Sequence, residues 1–170
     1  LQGSLSNFAG GIMLLILKPF RIGDSIEVKG HLGTVERIGM FYTTIIKFGN
    51  ERVIIPNGPL FSDNIINYSQ NPTRRDNIIV GIGYGSDLKK AKEILYSLTQ
   101  SCPTALQDPA PVVYVNELAD SSVNFTVRVW SKTEHYWDTH FYLIEQIKLT
   151  FDKEGIEIPF PQRDVHIISQ

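Results

Sequence analysis

The chain has 170 residues, of which 42% are hydrophobic and 20% are charged, and its formal net charge is −2. A chain of this length can hold one domain or two small ones, and its charge balance gives no reason to expect a nucleic acid partner. The single cysteine, Cys102, excludes an internal disulfide and a cysteine zinc site. Because the first residue is Leu1 rather than Met, we expect the natural N-terminus to lie upstream.

Residues 1–17 have the pattern of an amphipathic helix. At about 100° per residue, small and polar residues fall on one side, namely Gly3, Asn7, Gly10 and Gly11. The large apolar residues fall on the other side, namely Leu1, Leu5, Phe8, Ala9, Ile12, Leu15 and Ile16. Three glycines cost a helix roughly 2–3 kcal/mol relative to alanine, so we expect this helix to form only when its apolar face is covered.

The apolar run at 8–17 is shorter than the roughly 20 residues that a membrane-spanning helix requires. Two interpretations remain open: a helix that lies in the membrane interface or continues a span beginning before Leu1, and the buried first helix of a soluble domain. Lys18 and Arg21 follow the run and suit an anionic cytoplasmic membrane surface. Pro19 should end the helix and exclude the right-handed helical conformation at Lys18.

From residue 21 onward, short stretches alternate between apolar and polar residues and are separated by glycines. This pattern predicts strands near 25–29, 32–38, 40–48, 51–55 and 65–69. A turn is expected at 56–59, where the sequence reads Pro-Asn-Gly-Pro. Five short strands with tight turns predict a small closed or nearly closed barrel.

The polar segment 70–76 is the best candidate for a connector between domains. After it we predict a strand at 77–84, a helix at 87–101, strands at 111–117 and 122–131, a helix at 135–153 and a short strand near 156–158. This order is the β-α-β-β-α-β arrangement of ferredoxin-like domains. Ser86 or Asp87 should cap the first of these helices, and Gly155 should end the second.

The last segment, "PFPQRDVHIISQ", alternates through Val165, Ile167 and Ile168. Two prolines separate it from the preceding domain. A strand that stands apart from its own domain needs pairing partners, and we expect them to come from other copies of the chain.

Four stretches, "LQGSLSN", "KPFRIGD", "IPNG" and "VRVW", occur in an order and spacing that resemble the small-conductance mechanosensitive channel (MscS) family over the whole chain. The resemblance implies an α+β fold in four parts. Residues 1–20 would be the cytoplasmic half of a transmembrane pore helix, and 21–70 a small five-stranded Sm-like β-barrel. Residues 71–160 would form a ferredoxin-like α/β domain, and 161–170 a strand of an intersubunit β-barrel.

The resemblance also implies a function: a non-enzymatic channel subunit that opens under membrane tension and releases ions and small osmolytes during hypoosmotic stress. Its partners would be itself, as a homoheptamer, the lipid bilayer and the permeating solutes, with no cofactor and no nucleic acid. The location would be a bacterial-type inner membrane, with this portion mostly cytoplasmic. Seven copies of 162–168, including Val165 and Ile167, would form a parallel barrel. The pore-lining half-helix and the gate are missing, so this chain alone should neither conduct nor gate.

Two sets of site residues follow. The helix would bend at Gly3, and Gly10 and Gly11 are further positions where bending costs little. Asn7 needs a hydrogen-bond partner when the small face is covered, and the resemblance implies that this partner is the loop around Asn57 and Gly58. We expect this contact to act as a latch that favours a non-conducting state. The alternative is that Asn57 and Gly58 form only a turn.

Other chemistry finds little support in the sequence. "GIGYGSD" at 81–87 lacks the third glycine and the lysine of phosphate-binding loops. His135 and His140 are five residues apart and project differently, and Cys102 has no activating group nearby in sequence. A soluble oligomeric RNA-binding module is the alternative function, but it requires basic residues interleaved with exposed aromatics. Arg74 and Arg75 are only a pair, and the aromatic residues of the second half suit a core or a subunit interface, namely Trp130, Tyr136 and Trp137.

Overall fold

The computed structural model describes residues 1–169, and the chain divides into two compact units with the boundary in sequence between Pro72 and Thr73. Each unit combines helices with an antiparallel sheet, so the fold class is α+β as predicted. Within residues 1–169, no helix has the length and hydropathy that a membrane span requires.

The first unit contains two helices and five short strands. In chain order these are α1 (Gln2–Leu17), β1 (Ser25–Val28), β2 (His31–Ile38), β3 (Tyr42–Ile46), β4 (Arg52–Pro56), α2 (Asn57–Phe61) and β5 (Ile66–Asn67). The strands pair antiparallel in the order β4-β3-β2-β1-β5. Alternate residues of these strands point inward and form the core together with residues from the helices and the first loop, namely Leu14, Phe20, Ile26, Val28, Val35, Ile45, Ile55 and Leu60.

Helix α1 ends as the sequence predicts. Lys18 adopts the left-handed conformation (φ 47°), and its N–H donates to the carbonyl oxygen of Leu14 at 3.0 Å. Because the ring of Pro19 disfavours the right-handed helical conformation at the preceding residue, the chain leaves the helix at Lys18. Asn67 of β5 holds the chain after the helix, since its Nδ2 donates to the carbonyl oxygen of Pro19 at 3.1 Å.

The second unit contains β6 (Thr73–Ile82), α3 (Leu88–Ser101), β7 (Ala105–Leu106), β8 (Val112–Leu118), β9 (Val123–Lys132), a 3-10 turn (Thr133–His135) and α4 (Tyr136–Glu154). Strand β9 is central: β6 pairs along its full length, and β7 and β8 share its other edge. Helices α3 and α4 contribute Leu95, Leu143 and Phe151 to the core beneath the sheet.

The predicted caps of the second unit can now be assigned. Asp87 rather than Ser86 caps α3, because its Oδ1 accepts a hydrogen bond from the N–H of Lys90 at 3.0 Å. Gly155 ends α4 in the left-handed conformation (φ 70°), as predicted, and its N–H donates to the carbonyl oxygen of Phe151. A glycine carries no Cβ that would disfavour this conformation.

Three predicted elements are wrong. The turn at 56–59 is instead the helix α2, whose first turn tolerates Pro59 because N–H groups there need no partner within the helix. The connector 70–76 is shorter than predicted, since β6 already begins at Thr73 and pairs with the end of β9. No strand forms near 156–158: the N–H of Gly83 donates to the carbonyl oxygen of Glu157 at 2.9 Å, and Pro159 and Pro161 lack the N–H groups that would extend this pairing.

Residues 155–169 contain no regular secondary structure. The strand predicted at 161–170 extends to Gln170, which lies outside the described residues. Val165 and Ile167 are almost fully exposed. Their pairing with other copies therefore stays a prediction.

Candidate functional site

The small face of α1 packs against α2 and the loop between β2 and β3. Gly10 and Gly11 are buried there. A Cβ atom on Gly10 would lie 2.6 Å from the carbonyl oxygen of Asn57, and one on Gly11 would lie 2.6 Å from the carbonyl oxygen of Met40. The two glycines therefore let the backbones approach more closely than any side chain permits.

One hydrogen bond joins the two helices inside this contact. The N–H of Gly58 donates to Oδ1 of Asn7 at 3.0 Å. A Cβ atom on Gly58 would lie 2.5 Å from Oγ of Ser6, so the position has no space for a side chain in this arrangement. The N–H of Gly58 belongs to the first turn of α2, where backbone donors lack partners within the helix. Asn7 supplies that partner.

Asn57 fixes the position of α2 through hydrogen bonds to β3 and to the loop before it. Its side chain is fully buried, its Oδ1 accepts from the hydroxyl of Thr43 at 2.8 Å, and its Nδ2 donates to the carbonyl oxygen of Gly39 at 2.8 Å. Its backbone N–H donates to the carbonyl oxygen of Phe41 at 2.9 Å. A buried amide with these partners has one favourable orientation. The N–H of Gly58 is therefore aimed at α1 by a rigid support.

The large apolar face of α1 is left exposed in the single chain, so its side chains are not those of a buried first helix. Phe8 contacts the ring of Phe41 at a centroid distance of 6.1 Å and is 38% exposed. The other large residues of this face are 41–69% exposed, namely Leu5, Ile12, Leu15 and Ile16. The reason is geometric: the small face allows the backbone of α1 to contact α2 directly, and the opposite face then points outward.

The predicted hinge residues have different environments. Nothing lies within 4 Å of a Cβ atom built on Gly3, whereas Gly10 and Gly11 lie in the tight contact. Helix α1 runs without interruption from Gln2 to Leu17. In this conformation Gly10 and Gly11 allow α1 to approach α2 and the loop before β3 closely. Bending at any of the three glycines stays a prediction.

Two family models match most of the chain. The model described as "Mechanosensitive ion channel, beta-domain" matches residues 3–70, and that described as "Mechanosensitive ion channel MscS, C-terminal" matches residues 76–158. The solved closed-state structure of Helicobacter pylori MscS superimposes with a TM-score of 0.93 at 35% sequence identity, covering 99% of this chain and 67% of that chain. The chain belongs to the MscS family.

Other MscS proteins are similar over nearly the whole chain. A small-conductance mechanosensitive channel of Edwardsiella ictaluri is 42% identical over 167 residues, which is 98% of this chain and 58% of that protein. An uncharacterized MscS family protein of Synechocystis is 45% identical over 168 residues, covering 99% of this chain and 57% of that protein. The chain thus spans somewhat more than half the length of these relatives. None of the matches supports the alternative of an RNA-binding module.

The remaining predicted site residues of this MscS-family chain lie apart from the α1–α2 contact. Lys18 and Arg21 are exposed at the end of α1. Both line a cavity whose other walls come from the loop before β1 and from the segment after β5. Val165 and Ile167 belong to the C-terminal segment described above.

His135 and His140 have structural partners. Nδ1 of His140 lies 2.6 Å from Oδ2 of Asp76, a buried carboxylate that also accepts from the hydroxyl of Tyr136 at 3.1 Å. His135 is more exposed and lies 3.2 Å from Oδ2 of Asp138. Among residues 1–169, no three histidine, cysteine or acidic side chains lie close enough together to hold a metal ion. His140 therefore ties α4 to β6.

Other residues considered in the sequence also have structural roles. Arg74 stacks on the ring of Tyr136, with its guanidinium carbon 3.6 Å from the ring centroid. Cys102 is buried in the core of the second unit. Oγ of Ser86, in the glycine-rich segment 81–87, accepts from the N–H of Glu157 at 3.2 Å and so holds the chain after α4.

Sequence reasoning missed Thr43 and Gly39 as supports of the contact. They precede Asn57 by 14 and 18 residues, and their roles arise only when β3 and the loop before it are brought beside α2. A buried position for Thr43 follows from the alternation of β3, but its hydroxyl partner does not.

Proposed function

We propose that the complete protein is a subunit of a channel that opens under membrane tension and passes ions and small osmolytes. This chain would supply the cytoplasmic end of the pore helix and the domains that follow it. The main support is α1, whose large apolar face is exposed while its small face is packed. Such a face suits lipid or neighbouring subunits better than water. Membership of the MscS family agrees with this role.

The finer architecture belongs to the same proposal. The five-stranded sheet of the first unit would be an Sm-like barrel, and the second unit would be ferredoxin-like with its last strand lost. Seven copies would assemble in a bacterial inner membrane, and Val165 and Ile167 would pair between copies in a terminal barrel. Lys18 and Arg21 would face the anionic membrane surface. The mass of the complete protein in detergent tests the assembly: about seven copies support it, and a monomer contradicts it.

The contact between α1 and α2 would be the latch of this channel. Tension favours the state with the larger area in the membrane plane, and any contact present only in the other state opposes opening. The hydrogen bond from Gly58 to Asn7 is suited to this role because it joins α1 to the first turn of α2, which the buried Asn57 side chain holds in place. A net contribution of about 1 kcal/mol per bond changes the equilibrium about fivefold per subunit. Gly3, Gly10 and Gly11 would allow α1 to bend as the latch closes.

Replacement of Asn7 tests the latch in the complete channel. Asn7→Ala removes the acceptor of the Gly58 N–H, whereas Asn7→Asp keeps an acceptor oxygen at the same position and serves as the matched control. We expect patch-clamp recordings of Asn7→Ala to show altered recovery after sustained tension, with Asn7→Asp closer to the parent. Unchanged gating and recovery in Asn7→Ala would show that the contact is not a latch.

A further inference from the structure

A small cavity opens where the chain leaves α1. Its volume is about 320 Å³, near the lower end of the range of roughly 300–1,000 Å³ that is usual for small-ligand pockets. Its lining residues are Lys18, Phe20, Arg21, Asp24, Ser69 and Gln70. All of them lie in the first unit, on either side of β5. The cavity is separate from the α1–α2 contact.

The walls of this cavity are held together by one side chain. Nδ2 of Asn67 donates to the carbonyl oxygen of Pro19 and, at 2.9 Å, to Oδ2 of Asp24. Oδ1 of the same amide accepts from the backbone N–H groups of Ser69 and Gln70. The loop after α1 and the segment after β5 are therefore fixed relative to each other before any ligand arrives, which lowers the entropic cost of binding.

Unused donors converge on the cavity. Within residues 1–169, the side chains of Lys18 and Arg21 form no ion pair. Oγ of Ser69 accepts from the N–H of Ser25 at 2.8 Å, so its own hydrogen is free to donate. The carboxylate of Asp24 already accepts from the backbone N–H of Arg21 and from Asn67. The cavity is thus lined by the two cations Lys18 and Arg21 and by one carboxylate, that of Asp24, which is already hydrogen-bonded. The lining therefore carries a net positive charge.

We propose that this cavity binds a phosphate group. A phosphate offers several acceptor oxygens to the guanidinium of Arg21, the ammonium of Lys18 and the hydroxyl of Ser69, and such charge-assisted bonds are strong. The phosphate comes either from the headgroup of an anionic phospholipid or from a free phosphate ion. Leu15, Ile16 and Leu17 directly precede Lys18 and are exposed, so an apolar surface adjoins the site in sequence. The lipid source rests on the proposed membrane position of α1, whereas the phosphate chemistry does not.

The test uses the complete channel in nanodiscs of phosphatidylcholine with or without phosphatidylglycerol. Native mass spectrometry counts retained phosphatidylglycerol, and calorimetry with inorganic phosphate in detergent tests the free ion. We expect Lys18→Gln and Arg21→Gln each to weaken binding about fivefold, as loss of one cation near a phosphate predicts. Gln70→Ala should also weaken phosphate binding, although it leaves the charge of the cavity unchanged. Lys47→Gln, which removes a cation of the same unit outside the cavity, is the matched control.

Retention of phosphatidylglycerol that falls in the cavity variants identifies the lipid as the source, and phosphate binding without lipid retention identifies the free ion. Equal losses in Lys18→Gln and Lys47→Gln, with none in Gln70→Ala, would show diffuse attraction to the surface and overturn the proposal. Absence of both ligands from the parent would overturn it as well. Patch-clamp recordings of the parent channel separate this proposal from the proposed function, because tension gating in a parent that binds neither ligand refutes only the phosphate site.

Discussion

Replacing Gly10 by alanine tests the packing of α1 most sharply. The new Cβ would lie 2.6 Å from the carbonyl oxygen of Asn57 and 2.8 Å from the N of Gly58, and both neighbours are backbone atoms. Restoring an ordinary contact of about 3.4 Å requires α1 to retreat by about 0.8 Å. A retreat of this size stretches the 3.0 Å bond between Asn7 and Gly58 beyond hydrogen-bond range.

The magnitude follows from three opposing contributions. Alanine favours the helix by about 1 kcal/mol over glycine. Overpacking costs about 1–3 kcal/mol, and loss of the hydrogen bond costs about 1 kcal/mol. The contact between α1 and α2 is therefore weakened by about 1–3 kcal/mol. This corresponds to an increase of about 5- to 150-fold in the population of molecules in which α1 has separated from α2.

Hydrogen exchange measured by mass spectrometry on the complete protein reads out this population, because α2 is exposed when α1 leaves. We expect residues 57–61 to exchange faster in Gly10→Ala by a factor within that range. Gly3→Ala is the control, since nothing lies within 4 Å of its Cβ and only the helix propensity changes. Equal exchange in Gly10→Ala and Gly3→Ala would refute the close-packing argument.

Two further substitutions each remove a hydrogen-bond partner of buried groups, one in the first unit and one in the second. Asn57→Ala leaves the carbonyl of Gly39 and the hydroxyl of Thr43 without their buried partner. We expect denaturant titration to show a loss of about 2–3 kcal/mol in the free energy of unfolding. A loss no larger than that of the control Asn64→Ala, at an exposed loop position, would contradict this. His140→Ala removes a partner of the buried Asp76 and should cost about 1–3 kcal/mol, whereas the exposed His135→Ala should cost less than about 1 kcal/mol. Equal thermal midpoints for the two histidine variants would show that the Asp76 pair contributes nothing to stability.

The elements of this fold follow largely from local patterns. The helical period of α1, the alternation of the strands and the stops at Pro19 and Gly155 are set by neighbouring residues, and all of them are present in the structure. Helix α2 escaped prediction because Asn-Gly-Pro reads as a turn when its contacts are unknown. In the fold, α1 and the Asn57 side chain hold these residues in a helix.

The candidate site was only partly accessible from the sequence. Asn7 is the one amide on the small face of the helix, so its need for a partner is a local inference. The sequence of α1 alone does not determine which of its faces packs, because burial of large apolar side chains and close approach of small ones compete. Here backbone contact with α2 determines the outcome, and the larger apolar face remains available for other partners.

The central claim is that the exposed apolar face of α1 is covered by lipid or by neighbouring subunits in the complete protein. A nitroxide label at Ile16, which is 66% exposed in the single chain, measures this directly through its relaxation by a water-soluble paramagnetic reagent. A label at Phe48, 75% exposed in the same unit, is the reference. We expect the label at Ile16 to be shielded in membranes and the label at Phe48 to be accessible. Equal accessibility of the two labels would contradict it.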